Sequence, residues 1–232
     1  ISGSTIYAGS YGEIFLSRNN GASWTSLTNG LPPGFINTMT TGGNNIFAGG
    51  TNGIFLSSDS GASWAPINGA VSIFSTVLSI AISGADIFIG TQGLGVYKSS
   101  DIGLSWSQID TGFGNRSYNT VRALAISGNI IFAGTDYGAY LSSNSGSNWT
   151  HTSEMNIIKS NVGTIVVSGT HIFAGSEDLF LTTDNGTNWS RDTVGPFFFS
   201  IISLASSGPK IFAGTYNGGV FFSADTGRSW VS

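Results

Sequence analysis

The chain has 232 residues, of which 34 are glycine, 40% are hydrophobic and only 9% are charged, with a net charge of −4. Long soluble helices need charged faces and disordered chains lack this much apolar content, so a helix-rich protein and an unfolded one are both excluded. Eight basic residues argue against nucleic acid and anionic membranes as partners, and the absence of cysteine excludes disulfides and thiolate metal sites.

Read in chain order, the sequence repeats itself. The markers IYAG (6–9), IFAG (46–49), IFIG (87–90), IFAG (131–134), IFAG (172–175) and IFAG (211–214) each precede an octet by a few residues. The octets are SRNNGASW (17–24), SSDSGASW (57–64), SSDIGLSW (99–106), SSNSGSNW (142–149), TTDNGTNW (182–189) and SADTGRSW (223–230). All six tryptophans, Trp24, Trp64, Trp106, Trp149, Trp189 and Trp230, close these octets, at spacings of 40 to 43 residues. Periods of this length built of short strands point to propeller blades rather than helical solenoids.

Each repeat reads as four strands. The first is VLSIAIS (77–83), VRALAIS (121–127), VGTIVVS (162–168) or IISLASS (201–207), and a Ser-Gly turn leads to the second, the IFAG strand. A variable loop leads to the third, such as GIFLSS (53–58), and the octet turns the chain into the fourth, such as WAPIN (64–68) or WSQID (106–110). The first two are nearly continuous in apolar residues, as strands buried on both faces are. Pro66 cannot donate to a central ladder, so the fourth strand is expected at the blade's outer edge and the first along a central channel.

The pattern S-x-D-x-G-x-x-W resembles the Asp-box, or bacterial neuraminidase repeat, over essentially the whole chain. The resemblance implies an all-β, six-bladed β-propeller with four antiparallel strands per blade and one octet in each turn between third and fourth strands. The blade-like repeats are expected at roughly 1–30, 31–70, 71–113, 114–155, 156–195 and 196–232. At Asn19 and Asn144 an amide replaces the aspartate found at Asp59, Asp101, Asp184 and Asp225. Asn keeps the acceptor oxygen and loses the charge, so these two turns are expected to be weaker. The third-position residue should accept turn N–H groups, the fifth-position glycine should permit positive φ, and the tryptophan should cover its hairpin. The octets read as turn staples rather than calcium or ligand sites. Repeats of about 41 residues would need somewhat more than 232 for six full blades. Clipped ends are therefore expected, and closure of the ring by packing of the first and last blades.

Up-and-down order places the octets and the uniform Ser-Gly turns on one face. Variable connections fall on the other, where binding residues usually sit. The loops between second and third strands carry Tyr11, Asn52, Gln92, Asp136, Tyr137, Glu177, Asp178, Tyr216 and Asn217. The connections between blades carry Phe35, Ile73, Phe74, Phe113, Arg116, Tyr118, Ile157, Ile158 and Phe197 to Phe199, the aliphatic and phenylalanine members being expected to plug the channel mouth or pack a neighbouring blade. Rings beside amides and carboxylates suit a glycan or a protein or peptide ligand. The expected ligand-binding set is Tyr11, Asn52, Gln92, Phe113, Arg116, Tyr118, Asp136, Tyr137, Tyr216 and Asn217.

Enzyme readings are limited by residue supply. Resemblance to sialidases would imply three arginines gripping a carboxylate. The chain has five in all, with Arg18 and Arg228 in octets, Arg191 on a fourth strand, and only Arg116 and Arg122 reaching the loop face. Resemblance to xyloglucan-degrading enzymes would imply two propellers facing across a cleft. A different glycosidase would need a carboxyl pair, and Asp136, Glu154, Glu177 and Asp178 offer candidates in the fourth and fifth blades. His151 and His171 show no metal-ligand spacing, and no cofactor or metal is expected. The reading is a non-enzymatic extracellular or bacterial-surface binding module, a glycosidase being the alternative and an architectural unit of a larger surface protein the third. The longest apolar stretch, 197–205, is too short for membrane insertion, and the start of the chain reads as a processed or excised segment.

Overall fold

A computed structural model describes residues 5–69, 75–114, 119–152, 161–193, 195 and 200–232. Ile73, Phe74, Arg116, Tyr118, Glu154, Ile157, Ile158 and Phe197 to Phe199 lie outside the described residues. The chain is an all-β, six-bladed propeller, each blade an antiparallel meander. No helix of the described residues is long and apolar enough to cross a membrane.

Two compact units, 1–108 and 109–232, hold three blades each. In the first unit, blade one is β1 (Ile6–Gly9), β2 (Ile14–Ser17) and β3 (Thr25–Leu27). Blade two is β4 (Ile36–Gly42), β5 (Asn45–Gly50), β6 (Gly53–Ser57) and β7 (Ala65–Pro66). Blade three is β8 (Val77–Ser83), β9 (Asp86–Thr91), β10 (Val96–Ser99) and β11 (Ser107–Gln108).

In the second unit, blade four is β12 (Val121–Ser127), β13 (Ile130–Thr135), β14 (Gly138–Ser142) and β15 (Thr150–His151). Blade five is β16 (Thr164–Ser168), β17 (His171–Gly175), β18 (Leu179–Thr182) and β19 (Ser190–Arg191). Blade six is β20 (Ile201–Ser207), β21 (Lys210–Thr215) and β22 (Gly219–Ser223). Blades one and six thus have three strands each among the described residues, against the four expected, with a lone bridge from Phe222 to Val231 marking the beginning of the last meander's fourth strand.

The core lies between blades rather than within them. The second strands are buried along nearly their whole length in β5, β9, β13 and β17, and in β5 and β17 a blade of the same unit stacks on each face. The expectation of equal burial for the first strands is corrected: β4, β12 and β16 are only half-buried, and β20 mostly exposed. A first strand is flanked by a ladder on one side only, which leaves its other edge and part of its faces open. In β4, β8, β12 and β20 the ladder also shifts register one residue after the opening β-branched residue, a bulge at Asn37, Leu78, Arg122 and Ile202.

One contact recurs at each described seam within the units. The glycine that ends IYAG or IFAG faces the β-branched residue that opens the next blade. A Cβ on Gly49 would lie 2.5 Å from Val77, one on Gly134 2.8 Å from Val162, and one on Gly175 2.7 Å from Ile201, while Gly9 meets Ile36 at 2.7 Å. Val77, Val162 and Ile201 are themselves almost fully buried. Around them gather the seam clusters, such as Phe47, Ile54, Ile80 and Ile89 with Val77, and Phe173, Leu179, Ile211 and Phe221 with Ile201. In blade six the matching residues Phe212 and Val220 are exposed, and a Cβ on Gly214 would meet only Ser203 of its own blade.

Gly175→Ala should therefore cost about 1–3 kcal/mol, the usual range for overpacking a dense core. Gly208→Ala is not a fair control because Gly208 has φ 58°, so Ser207→Ala, at an exposed position of β20, serves instead. Urea unfolding of the two variants checks the ordering, with Gly175→Ala the less stable.

Candidate functional site

The octets are self-contained turns. In each, the first-position hydroxyl is the pivot. Ser99 Oγ donates to Asp101 Oδ1 at 2.7 Å and accepts from the backbone N–H of Gly103 at 2.8 Å and of Asp101 at 3.3 Å. The same set recurs at Ser17, Ser57, Ser142, Thr182 and Ser223. The third-position oxygen then accepts from the backbone two residues beyond the glycine, as at Ser105 N to Asp101 Oδ1, 2.9 Å. The second carboxylate oxygen accepts from the seventh-position side chain at Asp59, Asp101, Asp184 and Asp225. Asn19 and Asn144 keep the Oδ1 contacts, the backbone one at 2.9 Å in both, while the first-position hydroxyl lies 3.0 and 2.9 Å from Oδ1 against 2.7–2.8 Å at the aspartates, the direction expected for a lost charge. With every carboxylate oxygen holding its own turn, the octets act as staples.

Two features of the octet were not read from the sequence. Its fourth residue, and not only its glycine, is left-handed: Asn20, Ser60, Ile102, Ser145, Asn185 and Thr226 have φ between 56° and 60°. Asn and Ser tolerate this region, but a β-branched side chain there is strained, and Ile102 is half exposed, with little packing in return. The tryptophan lies against the glycine of its own turn at Trp24, Trp64 and Trp230, as expected, and it also reaches the preceding repeat. Trp106 Nε1 donates to the Ile67 carbonyl at 2.8 Å, Trp149 to that of Ile109 at 2.5 Å, and Trp230 to Asp192 Oδ2 at 3.0 Å, each a residue of the preceding repeat. The Nε1 groups of Trp64 and Trp189 are buried without an acceptor, so apolar packing is the part of this contact common to all five seated rings.

The loop-face residues separate into local groups. In the first unit, Tyr11 and Phe35 form an isolated antiparallel bridge and their rings meet edge to face at 5.1 Å. The Asn52 amide donates to the Pro33 carbonyl at 2.8 Å, two residues before Phe35, and Thr51 exchanges hydrogen bonds with the Phe35 backbone. Gln92 has an exposed side chain, while its backbone is tied to Thr76 and Ser75. In the second unit, Tyr216 is exposed and Asn217 takes a left-handed turn position with φ 73°, which accounts for an asparagine there. Tyr137 stands exposed on the turn after β13, its carbonyl 2.9 Å from His151 Nε2. Phe113 is corrected: it is 2% exposed and packs between Tyr140 and Trp149, so it is core and cannot meet a ligand. The chain after β11 bends back onto the next blade, which a linear reading of the connection does not reveal.

Two of the acidic candidates are held in ion pairs, while Glu177 is exposed. Asp136 pairs with Arg122 at 2.6 Å and lies 3.3 Å from the Asn161 amide, and Asp178 pairs with Arg191 at 2.6 Å. Each arginine belongs to the same blade as its partner, so the two carboxylates are held by separate cations instead of by each other. A third ion pair, Lys98 with Asp86 at 2.7 Å, lies away from the loop face, and that lysine together with Ser100 holds the Asp86 carboxyl below the usual range.

A concave space that the sequence did not announce lies in the first unit, on the octet side. It has a volume of about 460 Å³ and is lined by Thr5, Tyr7, Arg18, Asn44, Asn45 and Ser60 among others. A second hollow of about 280 Å³ shares Tyr7, Thr41 and Ile46 with it and extends to Met39. Arg18 is thus a cavity residue, although sequence position marked it only as part of an octet.

No family model matches the chain, and no curated protein does. Solved structures do match. YCF48 bound to D1 peptide is 17% identical with a TM-score of 0.72, over 97% of this chain and 76% of that one. The GH74 xyloglucanase from Xanthomonas campestris is 15% identical with a TM-score of 0.69, over 96% and 43%. The extracellular domain of the one-component system BT4673 from B. thetaiotaomicron is 17% identical with a TM-score of 0.60, over 100% and 40%. The chain spans about three-quarters of YCF48 and less than half of the other two. At 15–17% identity these likenesses show the fold alone, and the fold is shared by enzymes and by proteins that bind.

Two predictions arise from the octets. Ile102→Asn should stabilise the protein by about 1 kcal/mol, since it relieves a left-handed β-branched residue, and thermal unfolding will register it. Hydrogen bonds from Ser63, Ser105 and Ser229, respectively, hold Asp59, Asp101 and Asp225 down to a pKa of about 2, and Asn188 lowers Asp184 in the same way. A lowered folded pKa means that this stabilisation is complete above the unfolded value near about 3.9 and is lost as pH falls towards 2. The melting temperature should drop over that interval, and replacing Asp59, Asp101 and Asp225 together by Asn should flatten the drop.

Proposed function

We propose that this chain is a non-enzymatic binding propeller that presents its variable loop face to a glycan or a peptide. The observation that carries the reading is the Tyr11–Phe35 pair. The rings are 58% and 60% exposed, yet the backbone bridge and the Asn52 brace hold them in place. Exposed large aromatics on a rigid support are unfavourable in water and favourable against an apolar ligand face, and pre-positioned rings lose little entropy on binding. Tyr137 and Tyr216, at 64% exposure for the latter, offer the same chemistry in the second unit. An extracellular or cell-surface setting accords with the cysteine-free, lysine-poor composition and with the extracellular domain among its structural likenesses.

The glycosidase reading loses support from the ion pairs. A retaining or inverting enzyme needs two carboxyl groups placed to act together. Asp136 and Asp178 are each committed to an arginine of their own blade and not to each other.

Glycan and peptide arrays test the proposal. Binding should fall about tenfold or more in Tyr11→Ala and Phe35→Ala, the usual loss for a central aromatic anchor, and a second-unit contribution should appear as a smaller loss in Tyr137→Ala or Tyr216→Ala. Broad panels without a hit would instead favour an architectural role.

A further inference from the structure

The chain contains six Asn-Gly pairs, at 20–21, 29–30, 52–53, 68–69, 185–186 and 217–218. An asparagine before glycine is chemically labile, because the next backbone nitrogen can approach the side-chain carbonyl carbon when no Cβ shields it. Ring closure requires that the amide and the following peptide both be free to move, and hydrogen bonds to either oppose it.

Five of the pairs are held. In the octets the attacking nitrogen is occupied, the Gly21 N–H donating to Ser17 Oγ at 2.8 Å and the Gly186 N–H to Thr182 Oγ1 at 3.0 Å. Elsewhere the side chain or its peptide is engaged. The Asn52 amide donates to Pro33, Asn68 Oδ1 accepts from the Ile54 N–H at 3.0 Å, and the Asn29 carbonyl accepts from the Trp64 N–H at 2.9 Å. Asn217 differs. It is exposed, and among the described residues neither its side chain nor the Gly218 N–H makes a hydrogen bond. Loop length accounts for the contrast. In blade two Gly50 pairs with Gly53 and in blade four Thr135 pairs with Gly138, whereas in blade six Thr215 pairs with Gly219 across the longer loop Tyr216, Asn217 and Gly218.

We propose that Asn217 is a site of spontaneous covalent modification, at which an amide of the loop face ages to a carboxylate. The Gly218 nitrogen attacks Asn217 Cγ. The N–Cγ bond forms, the Cγ–Nδ2 bond breaks, and the side-chain nitrogen leaves as ammonia with the proton that Gly218 gives up. Water then opens the cyclic imide at either carbonyl to give aspartate or isoaspartate, and nothing is oxidised or reduced. Both products place a negative charge beside the exposed Tyr216, and isoaspartate also lengthens the main chain by a methylene. The reaction needs no bound ligand, so the inference stands apart from the proposed function.

The test incubates the folded 232-residue chain in mildly alkaline buffer and follows its tryptic peptides by mass spectrometry, with isoaspartate identified by enzymatic methylation. The peptide 211–228 carries Asn217 as its only asparagine and should be the first to exchange NH for O, as a mixture of aspartate and isoaspartate. The five held pairs should lag by about tenfold, the rate factor of one hydrogen bond that must break before attack. In urea the six rates should converge. Gly218→Ala, at a glycine that is not left-handed, should slow conversion of Asn217 severalfold and leave the melting temperature in place. Conversion of Asn217 no faster than that of Asn52 or Asn185 in the folded chain overturns the proposal. So does an unchanged rate in Gly218→Ala, or a product that is aspartate alone, which would mean direct hydrolysis without the ring.

Discussion

The architecture depends on how closely neighbouring blades can approach. At the described seams within each unit the limit is set at one glycine, Gly9, Gly49, Gly134 or Gly175, where the end of the marker strand meets a valine or isoleucine from the next sheet. Any Cβ at Gly49, Gly134 or Gly175 would sit inside van der Waals contact. The space of a missing methyl is thereby filled from across the seam, with buried phenylalanines and isoleucines gathered around it. The low charge of the chain has the same cause. Strands covered on both faces have no room for charged side chains, and Ser, Thr and Asn supply the polar surface instead.

The octet provides the second constraint, and its chemistry is local. A buried hydroxyl at the first position accepts two backbone N–H groups and donates to the third-position oxygen, which fixes a turn whose two central residues are left-handed. Because the turn is rigid, the indole that follows is projected off its own sheet and into the previous repeat. The octet is therefore both a turn and a spacer between blades.

The fold was legible because six octets and six IFAG markers share one period, and no other architecture of short strands places them so. Residues whose roles depend on a neighbouring repeat were less legible. Phe113 looked like a loop aromatic and is core, since its ring contacts lie on Tyr140 and Trp149, well along the chain. Asn52 looked like a ligand contact and braces Pro33. Arg18 looked like a surface residue of a turn and lines a cavity with Tyr7, Asn44 and Asn45, residues of other strands and turns. The left-handed fourth position had a faint signal, Asn or Ser in four octets of six, which Ile102 and Thr226 obscured.

The crossing tryptophans give the molecule an optical property. Every indole in the chain belongs to an octet, and five of the six are seated against a preceding repeat while Trp24 is 44% exposed. Emission from this protein is thus a sum over seams, each chromophore reporting the hydration of one boundary between repeats. Opening of a single boundary would redshift one component and leave the others in place. Uncoupled loss of blades and concerted collapse would then differ in the shape of the spectrum as well as in its intensity.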